Sequence, residues 1–413
     1  MSIEYRNDHL FVEDLSCQDL AKKYGTPLYV YSRAHLERQW QAIDQALAAI
    51  DHKICYAVKA NSNLAVLSVL VKLGSYFDVV SIGEIERVLR AGGRADRIVF
   101  SGVGKTTAEL NAALKLGIHC FNVESAAELE RLAAIAATLG LIAPVSVRVN
   151  PDVDAKTHPY ISTGLKDNKF GIIWDEIESV YQQAAQHESL KIVGIDCHIG
   201  SQLTEVSPFN DAIDKLLEVI GRLSKQGISF QHIDLGGGFG VTYRDEPTFD
   251  LQGYADAVVE KIGPLGLSVM VEPGRYIAAN AGLMLVEVQY LKHSEHKNFC
   301  IVDGSMSELI RPALYSAWQR IDAVELSSDT PSDVYDVVGP VCESSDFLGK
   351  DRTLAVKQGD ILAVQSSGAY GFGMASNYNT RCRPAELLID GDKVHVARRR
   401  ESLDDVLALE APL

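Results

Sequence analysis

Cysteines are few and scattered, basic side chains are outnumbered, and no apolar run is long. The seven cysteines, Cys17, Cys55, Cys120, Cys197, Cys300, Cys342 and Cys382, are odd in number and share no short spacing. That excludes a disulfide framework and a zinc clamp and points to a reducing compartment. No stretch approaches the roughly 20 apolar residues of a spanning helix. The opening Met1-Ser2-Ile3-Glu4-Tyr5-Arg6-Asn7-Asp8 carries charges where a secretory signal is apolar, so the expected location is the cytoplasm. Against 55 Asp and Glu there are 39 Lys and Arg, leaving a formal charge of −16. Such a surface repels a phosphate backbone or an anionic membrane, so neither nucleic acid nor a membrane is an expected partner. There is no low-complexity linker and no long charge run; Arg398–Arg400, followed by Glu401, reads as a solvated strand end.

What is present is an ordinary globular composition, 47% hydrophobic and 23% charged over 413 residues, which at about 150 residues per domain suggests two or three domains. Between about residues 52 and 272, short β-branched runs alternate with stretches of helical period. Candidate strands are Ile54–Val58, Phe77–Ser81, Ile98–Ser101, His119–Val123, Val145–Val149, Ile192–His198, His232–Leu235 and Ser268–Val271. Helical segments such as Leu64–Leu73, Glu84–Ala91, Ala108–Leu116, Ala126–Leu139 and Phe209–Lys225 lie between them, many followed by glycine. Eight β/α units of this length predict an α/β fold, a closed (β/α)8 barrel, with an open doubly wound sheet as the competing pattern. After about residue 283 strands follow one another without long helices: Leu283–Tyr290, Phe299–Val302, Asp336–Val338, Thr353–Val356, Ile361–Gln365, then Ala385–Ile389 and Lys393–Ala397 around Asp390-Gly391-Asp392. This predicts a second, mostly β domain ending in a tight hairpin.

Barrel active sites lie at the C-terminal ends of the strands. The first strand leads into Tyr56-Ala57-Val58-Lys59-Ala60-Asn61, aiming Lys59 at the rim. A lysine whose charge is disfavoured by burial forms imines with carbonyls, although an isolated one also looks like a snorkelling surface lysine. The sixth ends in Asp196-Cys197-His198-Ile199-Gly200-Ser201-Gln202; His198 alone reads equally as a structural histidine. The seventh ends in Asp234-Leu235-Gly236-Gly237-Gly238-Phe239-Gly240, whose amides can approach an anion closely. It lacks a Walker lysine and follows a late strand, where barrels commonly hold phosphate. The eighth leads into Val271-Glu272-Pro273-Gly274-Arg275. Amine, imidazole, anion nest and carboxylate converge on one rim and match pyridoxal 5′-phosphate, with Lys59 as Schiff-base lysine and Glu272 as partner of the pyridinium nitrogen. No metal is expected.

With these residues, Phe77-Asp78-Val79-Val80-Ser81, Arg311-Pro312-Ala313-Leu314-Tyr315, Cys342-Glu343-Ser344 and Gly368-Ala369-Tyr370-Gly371, the chain resembles over nearly its whole length the fold-type III pyridoxal-phosphate decarboxylases of the ornithine, diaminopimelate and arginine group. The resemblance implies a cofactor-carrying barrel over residues 30–283. Residues 1–29 and 284–413 would form a β-domain that completes the site and the interface of a head-to-tail homodimer. By that likeness Lys59 carries the cofactor and His198 stacks on its ring. Ser201, Gly237 and Gly238 hold the phosphate, and Glu272, with Pro273, Gly274 and Arg275, lines the cofactor. Arg275, Arg311 and Tyr315 bind a distal substrate carboxylate and Glu343 a distal amino group, while Tyr370 touches cofactor and substrate. Cys342, from the other subunit, donates a proton.

The implied reaction is decarboxylation of meso-2,6-diaminopimelate to L-lysine. Two guanidinium groups suit a substrate with a second carboxylate, which Arg grips bidentately, whereas ornithine or lysine would present an ammonium there. The alternatives are a decarboxylase of ornithine, arginine or carboxynorspermidine, an alanine-type racemase, against which Glu272 counts, and a non-catalytic relative. Asp78, Arg148 and Asn150 stand near strand ends as either supporting groups or core hydrogen-bonders, and Lys169-Phe170-Gly171 recurs in the family without a physical account.

Overall fold

Eight short parallel strands, each bonded to the next and the last to the first, form a closed barrel: His52–Ala57, Tyr76–Val79, Ile98–Phe100, Cys120–Val123, Ala143–Arg148, Leu190–Asp196, His232–Asp234 and Ser268–Val271. They are seen in a computed structural model that describes residues 2–151, 153 and 169–413. The closed order rules out the doubly wound sheet. Buried Cys55, Val99, Cys120, Val193 and Met270 pack together as one cluster, contributed by five different strands. The helices between strands start and stop where local chemistry dictates. Ser81 caps Ile82–Arg90 by accepting from the Glu84 amide. Thr106 and Glu109 form a capping box on Thr107–Leu116, which ends on the left-handed Gly117.

Most barrel strands end one or two residues earlier than the apolar runs predict, because the chain leaves the ladder there to turn onto the rim. The chain divides into two compact units: residues 39–241 with 247–276, which contain the barrel, and residues 1–38, 242–246 and 277–413.

The second unit is mostly β. Its principal sheet has nine strands: seven run in the order Phe347–Leu354, Asp333–Val338, Asn298–Val302, Gly282–Lys292, Leu28–Ser32, Ala385–Asp390, Lys393–Arg398, and off this path Ile361–Val364 pairs with Gly282–Lys292 and with Ile321–Ala323. Leu28–Ser32 is wholly buried and sits between strands some 250 and 350 residues downstream. Tyr31 donates to Glu386 Oε1 at 2.8 Å and Tyr29 to the Glu308 carbonyl at 2.8 Å. The final hairpin turns at Gly391 with φ +63°, Asp390 pairing with Lys393, as the Asp-Gly signal predicts.

Candidate active site

The first barrel strand stops at Ala57 and tightens into a 3-10 turn, Val58–Ala60, that carries Lys59. The Ala57 amide donates to the Pro273 carbonyl at 3.2 Å, and Tyr56 Oη donates to the Asn61 carbonyl at 3.2 Å, so the turn is tied at both ends. Gly274 seats the loop after the eighth strand on it: a Cβ there would stand 3.0 Å from the Ala60 methyl and 3.1 Å from that of Ala57. Lys59 Nζ donates to Asp78 Oδ2 at 3.3 Å; the lysine side chain is 41% exposed and the carboxylate wholly buried. The amine is thus reachable from the rim and anchored from within.

The glycine turn is dictated by how closely other backbone approaches it. Gly236 and Gly238 have φ +66° and +106°, a region costly for residues with a Cβ. A Cβ on Gly237 would run into the Glu272 carbonyl oxygen, and one on Gly238 would lie 2.5 Å from that of Gly200. The Gly237 amide donates to His198 Nδ1 at 3.1 Å, so the ring's proton resides on Nε2. Burial, followed by the charges of Arg148 and Lys59, pushes the His198 pKa well below its ordinary value, leaving a flat, neutral imidazole at pH 7. Arg275, itself buried, donates to Ser201 Oγ at 3.1 Å. His198, Ser201, the three glycines and Arg275 therefore form one connected surface.

Behind that surface lies a cluster of acids. Arg148, Asp196 and Asp234 are register partners across the fifth, sixth and seventh strands, and Asp196, Asp234 and Glu272 are all buried with carboxylate oxygens within 4.8 Å of one another. Two full charges at that separation repel by roughly 3 to 4 kcal/mol at an effective dielectric constant of about 20. Burial raises the pKa of all three; Asp234 acts next on Asp196 and Glu272, while Lys59 and Arg148 oppose the rise. Asp234 Oδ1 accepts from the Gly236 amide at 2.9 Å. Glu124 takes Arg148 Nη1 at 2.9 Å through one oxygen and the Gly171 amide at 2.9 Å through the other, and the Arg148 guanidinium lies 4.9 Å from the Phe170 ring centre. Phe170-Gly171 thereby gains a physical role: it closes over the buried Arg148–Glu124 pair. The sequence reading assigns no function to Asp196, Asp234 or Glu124; their signal is an acid at or just after the last residue of an apolar strand.

The remaining candidates belong to the β unit. Arg311 is buried at the start of the short helix Arg311–Tyr315, its guanidinium 4.9 Å from the centre of the Tyr243 ring. Glu308, three residues before Arg311, is taken up by the Ser305 amide and hydroxyl and lies 3.6 Å from Arg381 Nε. Tyr315 is half-buried. Cys342, Glu343 and Ser344 are exposed, and Tyr378 Oη donates to Glu343 Oε1 at 2.6 Å. Tyr370 is half-buried with φ +55°.

The barrel rim fits pyridoxal 5′-phosphate. It offers an accessible amine at Lys59, a neutral planar ring at His198 and a turn whose missing side chains leave its backbone open to an anion. It also offers Glu272, whose buried Oε1 has no hydrogen-bond partner among the described residues.

Comparison with known proteins agrees. The family described as "Pyridoxal-dependent decarboxylase, pyridoxal binding domain" matches residues 33–279. The diaminopimelate decarboxylase of Pseudomonas aeruginosa is 56% identical over 412 residues, covering 100% of this chain and 99% of that protein. That of Vibrio cholerae is 57% identical over 411 residues, 99% of this chain and 98% of its own. The crystal structure of diaminopimelate decarboxylase from Helicobacter pylori complexed with L-lysine superposes with a TM-score of 0.92 at 43% identity, covering 95% of this chain and 98% of that one. This chain belongs to the diaminopimelate decarboxylases, within the pyridoxal-dependent decarboxylase family.

Proposed function

We propose that the protein decarboxylates meso-2,6-diaminopimelate at its D-centre to give L-lysine and CO2, the last step of lysine formation. The observation that carries this is the single barrel rim holding Lys59 against Asp78, neutral His198 against the glycine turn, and Glu272 with a buried oxygen that no donor among the described residues reaches. The L-lysine bound by the Helicobacter pylori relative supports the product.

Lys59 would hold the cofactor covalently, His198 would lie against its ring, and Ser201, Gly237 and Gly238 would surround its phosphate, with Arg275 reinforcing Ser201. Pyridoxal 5′-phosphate supplies an electron sink for the pair left on Cα as CO2 departs. Glu272 would hold a proton at the ring nitrogen, because an adjacent negative charge raises the pKa of a cation, each unit being worth about 1.4 kcal/mol. Arg311 suits the distal carboxylate, which a guanidinium grips through two parallel bonds. Tyr315 would assist it, Tyr370 would touch both substrate and cofactor, and Glu343 would take the distal ammonium. Cys342 would deliver the proton to Cα, a thiol of reference pKa about 8.5 being both protonated at neutral pH and ready to release its proton.

The exposed Cys342-Glu343-Ser344 segment suits a homodimer in which each subunit completes the other's site. Neither nucleic acid nor membrane enters this reading; among the described residues no helix is long and apolar enough to cross a membrane. A reducing cytoplasm is consistent with seven unpaired thiols. The test is a substrate panel. Purified protein is expected to release CO2 from meso-diaminopimelate in preference to ornithine, arginine and carboxynorspermidine; preference for a substrate without the second carboxylate overturns the proposal.

A further inference from the structure

We propose that Asp234 is a positioning residue for the cofactor site: it shares one proton with Glu272, so that the pair presents a single negative charge to the ring nitrogen. This rests on the reading of Glu272 as the ring's partner. Three observations carry it. Asp234 is fully buried and its two oxygens are inequivalent, since Oδ1 accepts the Gly236 amide while Oδ2 has no donor among the described residues. Carboxylate oxygens of Asp234 and Glu272 lie within 4.8 Å of each other, and among the described residues Glu272 Oε1 also lacks a donor. Two buried carboxyl groups this close, each with an oxygen short of a donor, are satisfied together by one proton held in an O–H···O bond between them.

Among the described residues, the surrounding charges leave no other source of relief. Asp234 is faced by Asp196, Asp78, Glu272 and Arg148, and by the un-ionised Cys55, Cys120, Cys197 and Tyr254; Glu272 also feels Lys59, and Asp196 feels Glu124. The two cations in this set are already engaged: Arg148 pairs with Glu124 and Lys59 with Asp78. Burial and mutual repulsion both drive the acids to retain a proton. Bound in the pair, that proton takes no part in turnover; it fixes the rotamer of Glu272 and keeps its net charge at the value one ring N–H can neutralise.

The test uses the full-length chain freed of cofactor, with infrared difference spectroscopy in H2O and D2O at neutral pH. The wild type is expected to show a carboxylic-acid carbonyl band that shifts with deuterium and weakens in Asp234→Asn and in Glu272→Gln. Asp234→Asn keeps an acceptor for Gly236 and places an amide N–H where the shared proton lay. Its affinity for pyridoxal 5′-phosphate should therefore stay within a few-fold of wild type and lose its pH dependence through neutrality. Asp234→Ala, which leaves Glu272 without that donor, should bind roughly tenfold or more weakly, with its circular dichroism unchanged. Absence of the acid band in the wild type, equal losses in the Asn and Ala variants, or a stoichiometric divalent ion whose chelation creates the band each overturn the proposal. A protein that shows the band yet binds no pyridoxal 5′-phosphate retains the shared proton and refutes the cofactor reading instead.

Discussion

Lys59 Nζ sits 3.3 Å from Asp78 Oδ2, one strand over and in register with the strand end that launches the lysine turn. The ladder between the first two strands, not the flexible lysine stem, therefore decides where the amine stands. Asp78→Ala should slow uptake of pyridoxal 5′-phosphate by the cofactor-free protein about tenfold, the loss of one charge-assisted hydrogen bond. Stopped-flow absorbance measures it, and an unchanged rate argues that Asp78 serves only the core.

The glycine turn tolerates no side chain at its centre. Gly237→Ala forces a methyl onto the Glu272 carbonyl, and because backbone must move, the expected cost is about 1–3 kcal/mol of stability. The cofactor affinity should fall as well, since the same movement displaces Glu272 and the His198 acceptor. Melting curves and equilibrium titration read the two effects separately; a variant with native affinity would show that the turn is structural only.

Two groups give the stability of the cofactor-free protein opposite pH trends. His198, whose pKa is depressed in the fold, is ordinarily protonated in the unfolded chain below about pH 6.5. Its contribution is complete above that value and is lost as pH falls. Asp234, raised to about 7 chiefly by burial, releases its proton in the unfolded chain above about pH 4 and in the folded one only near 7. Its burial penalty therefore grows between those values, by up to about 1.4 kcal/mol per unit, then levels off. Asp234→Asn should stabilise the protein more at about pH 8 than at about pH 5. Urea titrations at the two values check this; an equal gain at both would contradict a proton retained in the fold.

The sequence makes the barrel legible because eight apolar runs are largely buried, and helix caps such as Ser81, Thr106 and Ser125 announce several of the crossovers. It makes the rim legible at Lys59, His198, the glycines and Glu272, since each follows its strand directly. Leu28–Ser32 is harder to place. Its five buried residues read as a strand, but nothing local says that its partners are Gly282–Lys292 and Ala385–Asp390. Asp196 and Asp234 stand at the ends of their strands without a distinguishing neighbour. Their meaning comes from register across three strands, and register between distant segments is a property of the closed barrel rather than of any window of sequence.

The exposed Cys342 loop leads to a complementation test. Lys59→Ala and Cys342→Ala should each be nearly inactive, with Cys342→Ala keeping the visible cofactor band. Mixing and reassembling the two should restore about one quarter of wild-type activity, because a two-fold dimer with shared sites then regains one intact site in half of its molecules. No recovery, with exchange of subunits verified, would place each site within a single chain.

The most direct test of the central claim is chemical trapping. The protein loaded with pyridoxal 5′-phosphate is reduced with borohydride and mapped by peptide mass. A visible band that vanishes on reduction, with the phosphopyridoxyl group on Lys59 and on no other lysine, is the predicted result. Label on another lysine, or a protein that stays colourless with the cofactor, would contradict it.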